Sequence, residues 1–148
     1  MSASRQDAAL LICWLSPGNH KHMPKSDKRG LARVFAAAAF SAAGLRAAWQ
    51  NEAAFRQESV LAIMLAPVAI WLGQSGVQRG VLLASLLFVL VVELLNSAIE
   101  AVVDRIGHDL HELSGQAKDM GSAAVLLSIA LMIVIWTGVA WDRFGSTL

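Results

Sequence analysis

The feature that most limits how this chain can fold is a run of 22 consecutive residues, Met120–Trp141, without a charged side chain. A helix of about 20 apolar residues crosses the hydrocarbon core of a bilayer, so this run predicts a membrane span. Val60–Gly73 with its flanks and Val81–Val103, which two glutamates interrupt, are further candidates. With 56% hydrophobic residues and a mean hydropathy of +0.55, the chain is more apolar than most soluble domains. We therefore predict an all-α integral membrane protein.

The predicted organisation is a single membrane domain, residues 29–148, after an N-terminal tail. Residues 1–28 contain an apolar run too short to span a membrane and then a polar segment with Pro and Gly, so we predict a disordered tail. The Ala-rich segment at about 31–56 mixes charged residues with Phe and Trp, which predicts an amphipathic helix on the membrane surface. The three spans are expected at about residues 57–76, 80–105 and 119–142.

The basic residues are distributed unevenly around these spans. Ten of the twelve lysines and arginines precede the first span or lie between the second and third. Only Arg79 and Arg143 fall on the other side. Lysine and arginine favour the cytoplasmic side of a membrane protein. We therefore expect the N-terminus and the polar link at residues 107–119 to be cytoplasmic.

Five polar side chains of the second span share one face of the predicted helix. At 100° per residue, Asn96, Ser97, Glu100 and Asp104 all lie with Glu93 inside an arc of about 100°. Ionisable groups are costly in lipid and normally face a protein interior or a water-filled cavity. This arrangement, called the polar face below, therefore indicates either a functional site or a polar contact between helices.

Three kinds of function fit the polar face. It could serve simply as a polar contact that joins helices through Asn96 and Ser97. It could instead bind ions in a transporter, or belong to a membrane-embedded enzyme. Glu93 and Glu100 are about 10 Å apart along the helix axis. One carboxylate could thus hold a divalent metal near the cytoplasm while the other meets an apolar substrate at depth. Mg²⁺ prefers one or two carboxylates plus phosphate oxygens, although the sequence contains neither of the common phosphate-binding glycine motifs.

Four segments of the chain resemble those of the bacterial integral-membrane diacylglycerol kinases. They are GLRAAW at residues 44–49, NEAAFRQE at 51–58, VELLNSAIEAVVDRIG at 92–107 and HELSGQAKDMGSAA at 111–124. The resemblance extends from about Gly30 to Gly145. It implies a homotrimer in the bacterial inner membrane, with a surface helix and three transmembrane helices per subunit. It also implies transfer of the γ-phosphoryl group of MgATP to the hydroxyl of diacylglycerol. The expected partners are ATP, a lipid alcohol, further copies of the chain and the bilayer, and not nucleic acid.

The resemblance also implies roles for particular residues. Glu93 would act as the base on the lipid hydroxyl with Asn96 at the active centre, while Glu52 and Glu100 would hold Mg²⁺. The implied nucleotide contacts are Arg33, Phe40, Glu52, Glu100, Asp109, Leu110, His111, Lys118 and Asp119. The implied lipid contacts are Arg33, Ala37, Ser41, Ala42, Arg46, Trp49, Ala54, Phe55, Arg56, Gln57, Glu58, Trp71, Arg79, Ser122 and Trp136.

Two alternative functions stay open. A kinase of the same family could act on undecaprenol or another polyisoprenol, because the reaction needs only a lipid alcohol at the same depth. From another class, a carboxylate-lined transporter would use the polar face for ions. Glu52 and Lys118 lie outside the predicted spans and Asp119 lies at the boundary of the third, where a proton path would not require them, and they therefore favour the kinase.

Overall fold

The computed structural model describes residues 31–106 and 112–145. Over these ranges the chain forms helices and no strand, which confirms the predicted all-α class. The helices are α1 (Leu31–Asn51), α2 (Ala53–Leu72), α3 (Gly76–Ile106) and α4 (Glu112–Phe144). The predicted tail at residues 1–28 and three predicted nucleotide contacts, Asp109, Leu110 and His111, lie outside the described residues.

Helices α2, α3 and α4 are each long and apolar enough to cross a membrane. With 31 residues, α3 is about 46 Å long, well beyond the hydrocarbon thickness of a bilayer. Helix α4 starts at Glu112, within the polar link predicted at residues 107–119 and before the predicted start of the third span at about residue 119. Residues 112–118 are mostly good helix formers, and Gln116 Nε2 donates to Glu112 Oε1 one turn away at 3.3 Å. Lys118 and Asp119 therefore lie on a helix rather than in a link.

Helix α1 ends at Asn51, before the boundary predicted near residue 56, because Glu52 interrupts it in an extended conformation. The last carbonyls of a helix have no hydrogen-bond donors within that helix, and Arg56 supplies donors for them here. Its Nη1 donates to the carbonyl oxygens of Trp49 at 3.0 Å and Gln50 at 3.2 Å. The first span consequently starts at Ala53, directly after Glu52.

The turn between α2 and α3 is closed by a capping box at the start of α3. The backbone N–H of Gln78 donates to Ser75 Oγ at 3.2 Å, and Gln78 Oε1 accepts from the backbone N–H of Ser75 at 3.4 Å. Each side chain thus satisfies a backbone donor that a helix start leaves unpaired. Arg79 Nε donates to the carbonyl of Gly73 at 2.9 Å, and a Cβ on Gly73 would overlap the Arg79 backbone. The turn is therefore tight as well as capped.

The C-terminal end of α4 packs against the α2–α3 turn. Arg143 donates to the carbonyls of Trp71 and Leu72, the last residues of α2, and its guanidinium lies 4.5 Å from the Trp71 ring centroid. Gln78 Nε2 donates to Asp142 Oδ2 at 2.6 Å. Next to these contacts, Ala69, Leu72 and Leu82 form a small apolar core that partly buried side chains of α4 cover.

Large apolar side chains cover much of the outer surface of α2, α3 and α4, while several polar side chains are buried between the helices. Lipid is as apolar as these outer side chains, so their exposure is compatible with a bilayer. The exposed ones include Ile63, Met64, Leu87, Leu95, Leu127 and Val134.

Candidate active site

The polar face of α3 is turned toward the other helices, as its geometry predicted. Glu93 is 4% exposed, Ser97 7% and Asn96 9%. They continue the buried stripe of Leu82, Ser85, Leu86 and Val89 on the same helix. The stripe is mostly apolar toward the α2–α3 turn and becomes polar toward the other end of α3. Buried polar groups in a membrane helix need a partner or a purpose.

Asn96 links the polar face to α4. Its Nδ2 donates to Glu100 Oε1 at 3.0 Å, one helical turn away. Opposite it lies the buried Gly121 of α4, where a Cβ would run into Asn96 Oδ1. Sequence reasoning missed Gly121. The available signal was its position beside Ser122 in a membrane span, since small residues let two membrane helices approach closely.

Four glutamates gather at this end of the bundle. Glu52 lies at the α1–α2 junction and Glu58 on α2, while Glu93 and Glu100 lie on α3. The carboxylate of Glu93 is close enough to those of Glu100, Glu52 and Glu58 for mutual repulsion. Oε2 of Glu58 is buried without a hydrogen-bond partner among the described residues. Sequence reasoning had assigned Glu58 only as a lipid contact and did not foresee its approach to Glu93.

A lysine of α4 stands beside this cluster. Lys118 Nζ lies 2.5 Å from Asp104 Oδ1, with the two side chains 39% and 62% exposed. The ammonium also interacts electrostatically with Glu100. Ion pairs this exposed contribute little to stability because water screens them. The importance of this pair is positional, since it keeps a cation within electrostatic reach of Glu100.

The donor set suits a magnesium ion that arrives with phosphate. No three His, Cys, Asp or Glu side chains in the described ranges are arranged to hold a metal by themselves. Mg²⁺ usually binds through one or two carboxylates and completes its octahedron with phosphate oxygens and water. Glu52 and Glu100 offer such carboxylates, and the repulsion within the glutamate cluster favours a divalent cation. The residues present therefore fit Mg²⁺ bound to a nucleotide.

A small cavity of about 80 Å³ adjoins the glutamate cluster between α2, α3 and α4. Glu58 contributes to its wall, and the other lining side chains are apolar. They are Leu61, Ala62, Leu65, Leu86, Val89, Leu90, Ile129 and Met132. One carboxylate and eight apolar side chains thus line the same cavity within the bundle.

The other predicted lipid contacts do not all lie near the carboxylates. Trp71 and Arg79 lie at the opposite end of the bundle, and Arg79 is about 32 Å from Glu100 along α3. Trp136 is turned inward, where its Nε1 donates to Ser85 Oγ at 3.1 Å. Phe55 is buried at the start of α2, and Ser122 is exposed beside Gly121.

The remaining predicted contacts follow the first two helices. Arg56 binds the end of α1 through its guanidinium. Exposed positions on α1 and at the start of α2 are Arg33, Ala37, Phe40, Ser41, Ala42, Arg46, Trp49, Ala54 and Gln57.

Comparison with known proteins assigns the family. Residues 39–140 match the sequence model described as prokaryotic diacylglycerol kinase. The diacylglycerol kinase of Escherichia coli K12 is 53% identical over 116 residues, which cover 78% of this chain and 95% of that protein. Those of Pseudomonas aeruginosa and Haemophilus influenzae are 46% and 44% identical, covering 78% and 74% of this chain and 94% and 93% of theirs. The resemblance in the motifs is confirmed, and the chain belongs to the prokaryotic diacylglycerol kinase family.

Proposed function

We propose that this protein is a bacterial membrane lipid kinase that transfers the γ-phosphoryl group of MgATP to the free hydroxyl of diacylglycerol, giving phosphatidic acid. Family membership supports the reaction class. The observation that carries the assignment is the polar face, where the buried Glu93 and the more exposed Glu100 lie on one side of a membrane helix. An enzyme that transfers a group from a water-soluble donor to an acceptor dissolved in the membrane needs functional groups near the membrane surface and deeper in the membrane at one site.

The donor end of the site is formed by Glu52, Glu100, Lys118 and Asp119. Glu52 and Glu100 would hold Mg²⁺, which neutralises phosphate charge when it is bound with ATP. Lys118 would direct its ammonium at the phosphates. Phosphoryl transfer depends mostly on positioning and on neutralising developing charge, so these residue types suit the step. Arg33, Phe40, Asp109, Leu110 and His111 remain proposed nucleotide contacts on the strength of the resemblance.

The acceptor end is formed by Glu93 and its neighbours on α3. Glu93 would accept the proton of the lipid hydroxyl as the hydroxyl oxygen forms its bond to the γ-phosphorus and ADP leaves. Asn96 orients Glu100 through its hydrogen bond of 3.0 Å and so couples the two ends. Asn96 Oδ1 and Ser97 Oγ are buried without partners among the described residues, so this end of the site has polar atoms beside Glu93.

The assembly and orientation proposed here follow the resemblance and the distribution of charge. Three copies would pack in the membrane through the apolar outer surfaces of their helices. The glutamate cluster and Lys118 would face the cytoplasm, where ATP is present, and the α2–α3 turn would face away from it. The uneven distribution of lysine and arginine supports this orientation.

The test is phosphorylation of lipid by the purified protein in mixed micelles with γ-labelled ATP. We expect Mg²⁺-dependent labelling of diacylglycerol in preference to undecaprenol. Preference for undecaprenol would reassign the acceptor within the same reaction class. Absence of labelling on both lipids, with folded protein confirmed by circular dichroism, would contradict the kinase and favour a transporter.

The Glu93→Gln variant tests the proposed base. An amide cannot take the hydroxyl proton, so turnover should fall by about 10²–10⁴-fold, the range for general base catalysis. Binding of MgATP, measured by equilibrium dialysis, should stay near that of the unmodified protein. Glu112→Gln makes the same change on the exposed start of α4 and should keep full turnover. Near-normal turnover of the Glu93→Gln variant at saturating MgATP would contradict the assignment.

A further inference from the structure

Lys118 has two carboxylates of α3 within its electrostatic reach and contacts one of them. Asp104 and Glu100 are four residues apart, so their side chains lie on the same side of the helix, one turn from each other. The ammonium lies 2.5 Å from Asp104 Oδ1, while its interaction with Glu100 is purely electrostatic. Glu100 Oε1 meanwhile accepts a hydrogen bond from Asn96.

We propose that Asp104 is a positioning residue that holds Lys118 beside, but not on, the carboxylate of Glu100. This role rests on the proposed function, in which Glu100 binds Mg²⁺ and Lys118 binds phosphate. Metal binding by Glu100 and phosphate binding by Lys118 conflict if the ammonium pairs with Glu100, because the two charges then neutralise each other. Asp104 gives Lys118 a nearby alternative anion and leaves Glu100 available to the metal.

The exposure of the pair suits this role better than a role in stability. With side chains 39% and 62% exposed, water screens the attraction, so the contact is weak enough to exchange for a phosphate. Incoming MgATP would draw Lys118 from Asp104 without breaking a buried ion pair. Without Asp104, Glu100 is the carboxylate that already attracts Lys118, and the nucleotide would have to separate those two groups.

Asp104→Asn tests the inference because it keeps the shape of the side chain and removes its charge. We expect the KM for MgATP and the Mg²⁺ concentration for half-maximal activity to rise about two- to fivefold, the range that exposed ion pairs produce. The kcat should stay within about twofold, since saturating MgATP restores the occupied site. Asp104→Glu retains the carboxylate and should behave like the unmodified protein. Glu112→Gln, which removes a negative charge from the start of α4, is the matched control.

A second measurement reports the position of Lys118 without using activity. Brief labelling with an amine reagent, followed by mass spectrometry, gives the reactivity of each lysine. We expect the reactivity of Lys118 to change in the Asp104→Asn variant and to return to its original value in Asp104→Glu. Equilibrium dialysis with a non-hydrolysable ATP analogue should show the same weakening of binding as the KM.

The outcomes separate this inference from the proposed function. If the unmodified protein phosphorylates lipid but Asp104→Asn changes neither the Mg²⁺ dependence nor the Lys118 labelling, the positioning role is wrong. If Asp104→Asn instead lowers kcat and thermal stability together at unchanged KM, the pair is a structural contact, and the positioning role is again wrong. An unmodified protein that binds no nucleotide and phosphorylates no lipid would instead reject the kinase function.

Discussion

At Gly121, α4 comes so close to α3 that a methyl group would run into Asn96 Oδ1. Asn96 in turn donates to Glu100, so a side chain at position 121 would displace the group that orients a proposed metal ligand. Overpacking of this kind typically costs about 1–3 kcal/mol of unfolding free energy. We therefore expect Gly121→Ala to lower the thermal unfolding temperature and to raise the Mg²⁺ requirement of lipid phosphorylation.

Two other glycines of α4 provide the controls for that substitution. A Cβ on Gly115 or Gly138 meets no neighbouring atom within 4 Å. Alanine also favours a helix over glycine, so Gly115→Ala and Gly138→Ala should not lower the unfolding temperature. Activity and stability of Gly121→Ala equal to those of the two controls would show that α4 can move away from Asn96 at no cost.

The site residues that could be predicted from the sequence are brought together within one helix, whereas those that were missed are brought together by the packing of two helices. The polar face followed from helical periodicity within one segment, which placed Glu93, Asn96 and Ser97 together on one side of α3. Gly121 and the Asp104–Lys118 pair depend instead on how far α4 is shifted along α3. Periodicity within one helix contains no information about that shift. The adjacent small residues Gly121 and Ser122 could indicate a close approach of two helices, but not which side chain of α3 lies opposite.

The end of α2 is held by an arginine from another helix. The carbonyls of Trp71 and Leu72 have no partners within α2, and Arg143 donates to both while stacking on the Trp71 ring. Hydrogen bonds from a charged group are worth about 1.5–3 kcal/mol each, less where water competes. We expect Arg143→Ala to lower the thermal unfolding temperature and to leave the kcat of lipid phosphorylation near normal, because the carboxylates lie at the other end of the bundle.

Arg143→Lys distinguishes charge from geometry at that helix end. Lysine keeps the positive charge but lacks the planar fork that reaches two carbonyls and stacks on an aromatic ring. The unfolding temperature of the Arg143→Lys variant should lie between those of the unmodified protein and the Arg143→Ala variant. Loss of kcat in either variant, measured below the unfolding temperature, would show that the two ends of the bundle are coupled.

Helices were more predictable from the sequence than the points where they begin and end. Long apolar runs, the second of them interrupted by two glutamates, predicted all three spans, and the Ser75–Gln78 pair has the sequence pattern of a capping box. The break at Glu52 was placed too late in the chain. It depends on Arg56 reaching back six and seven residues to backbone carbonyls, a contact made by side-chain reach rather than by helical periodicity.

Across the whole molecule, α3 separates two ends of different character. One end carries the glutamate cluster with Lys118, and the other carries the small apolar core and the contacts of Arg143. Since α3 is about 46 Å long, the two ends of a crossing helix would lie near opposite surfaces of the membrane. A kinase needs the first end on the side that contains ATP, so orientation decides whether the proposed function is possible.

Labelling of single cysteines tests that orientation. The native Cys13 is first replaced by serine, and cysteine is then introduced at Gly76, where a side chain has open space, or at the exposed Glu112. In spheroplasts, a membrane-impermeant maleimide should label the Gly76→Cys variant at once and the Glu112→Cys variant only after permeabilisation. This result is expected because most lysines and arginines lie on the Glu112 side, and such residues favour the cytoplasmic side of a membrane. The reverse pattern would place the carboxylates away from ATP and exclude the kinase as proposed, and immediate labelling of both variants would mean that α3 does not cross the membrane.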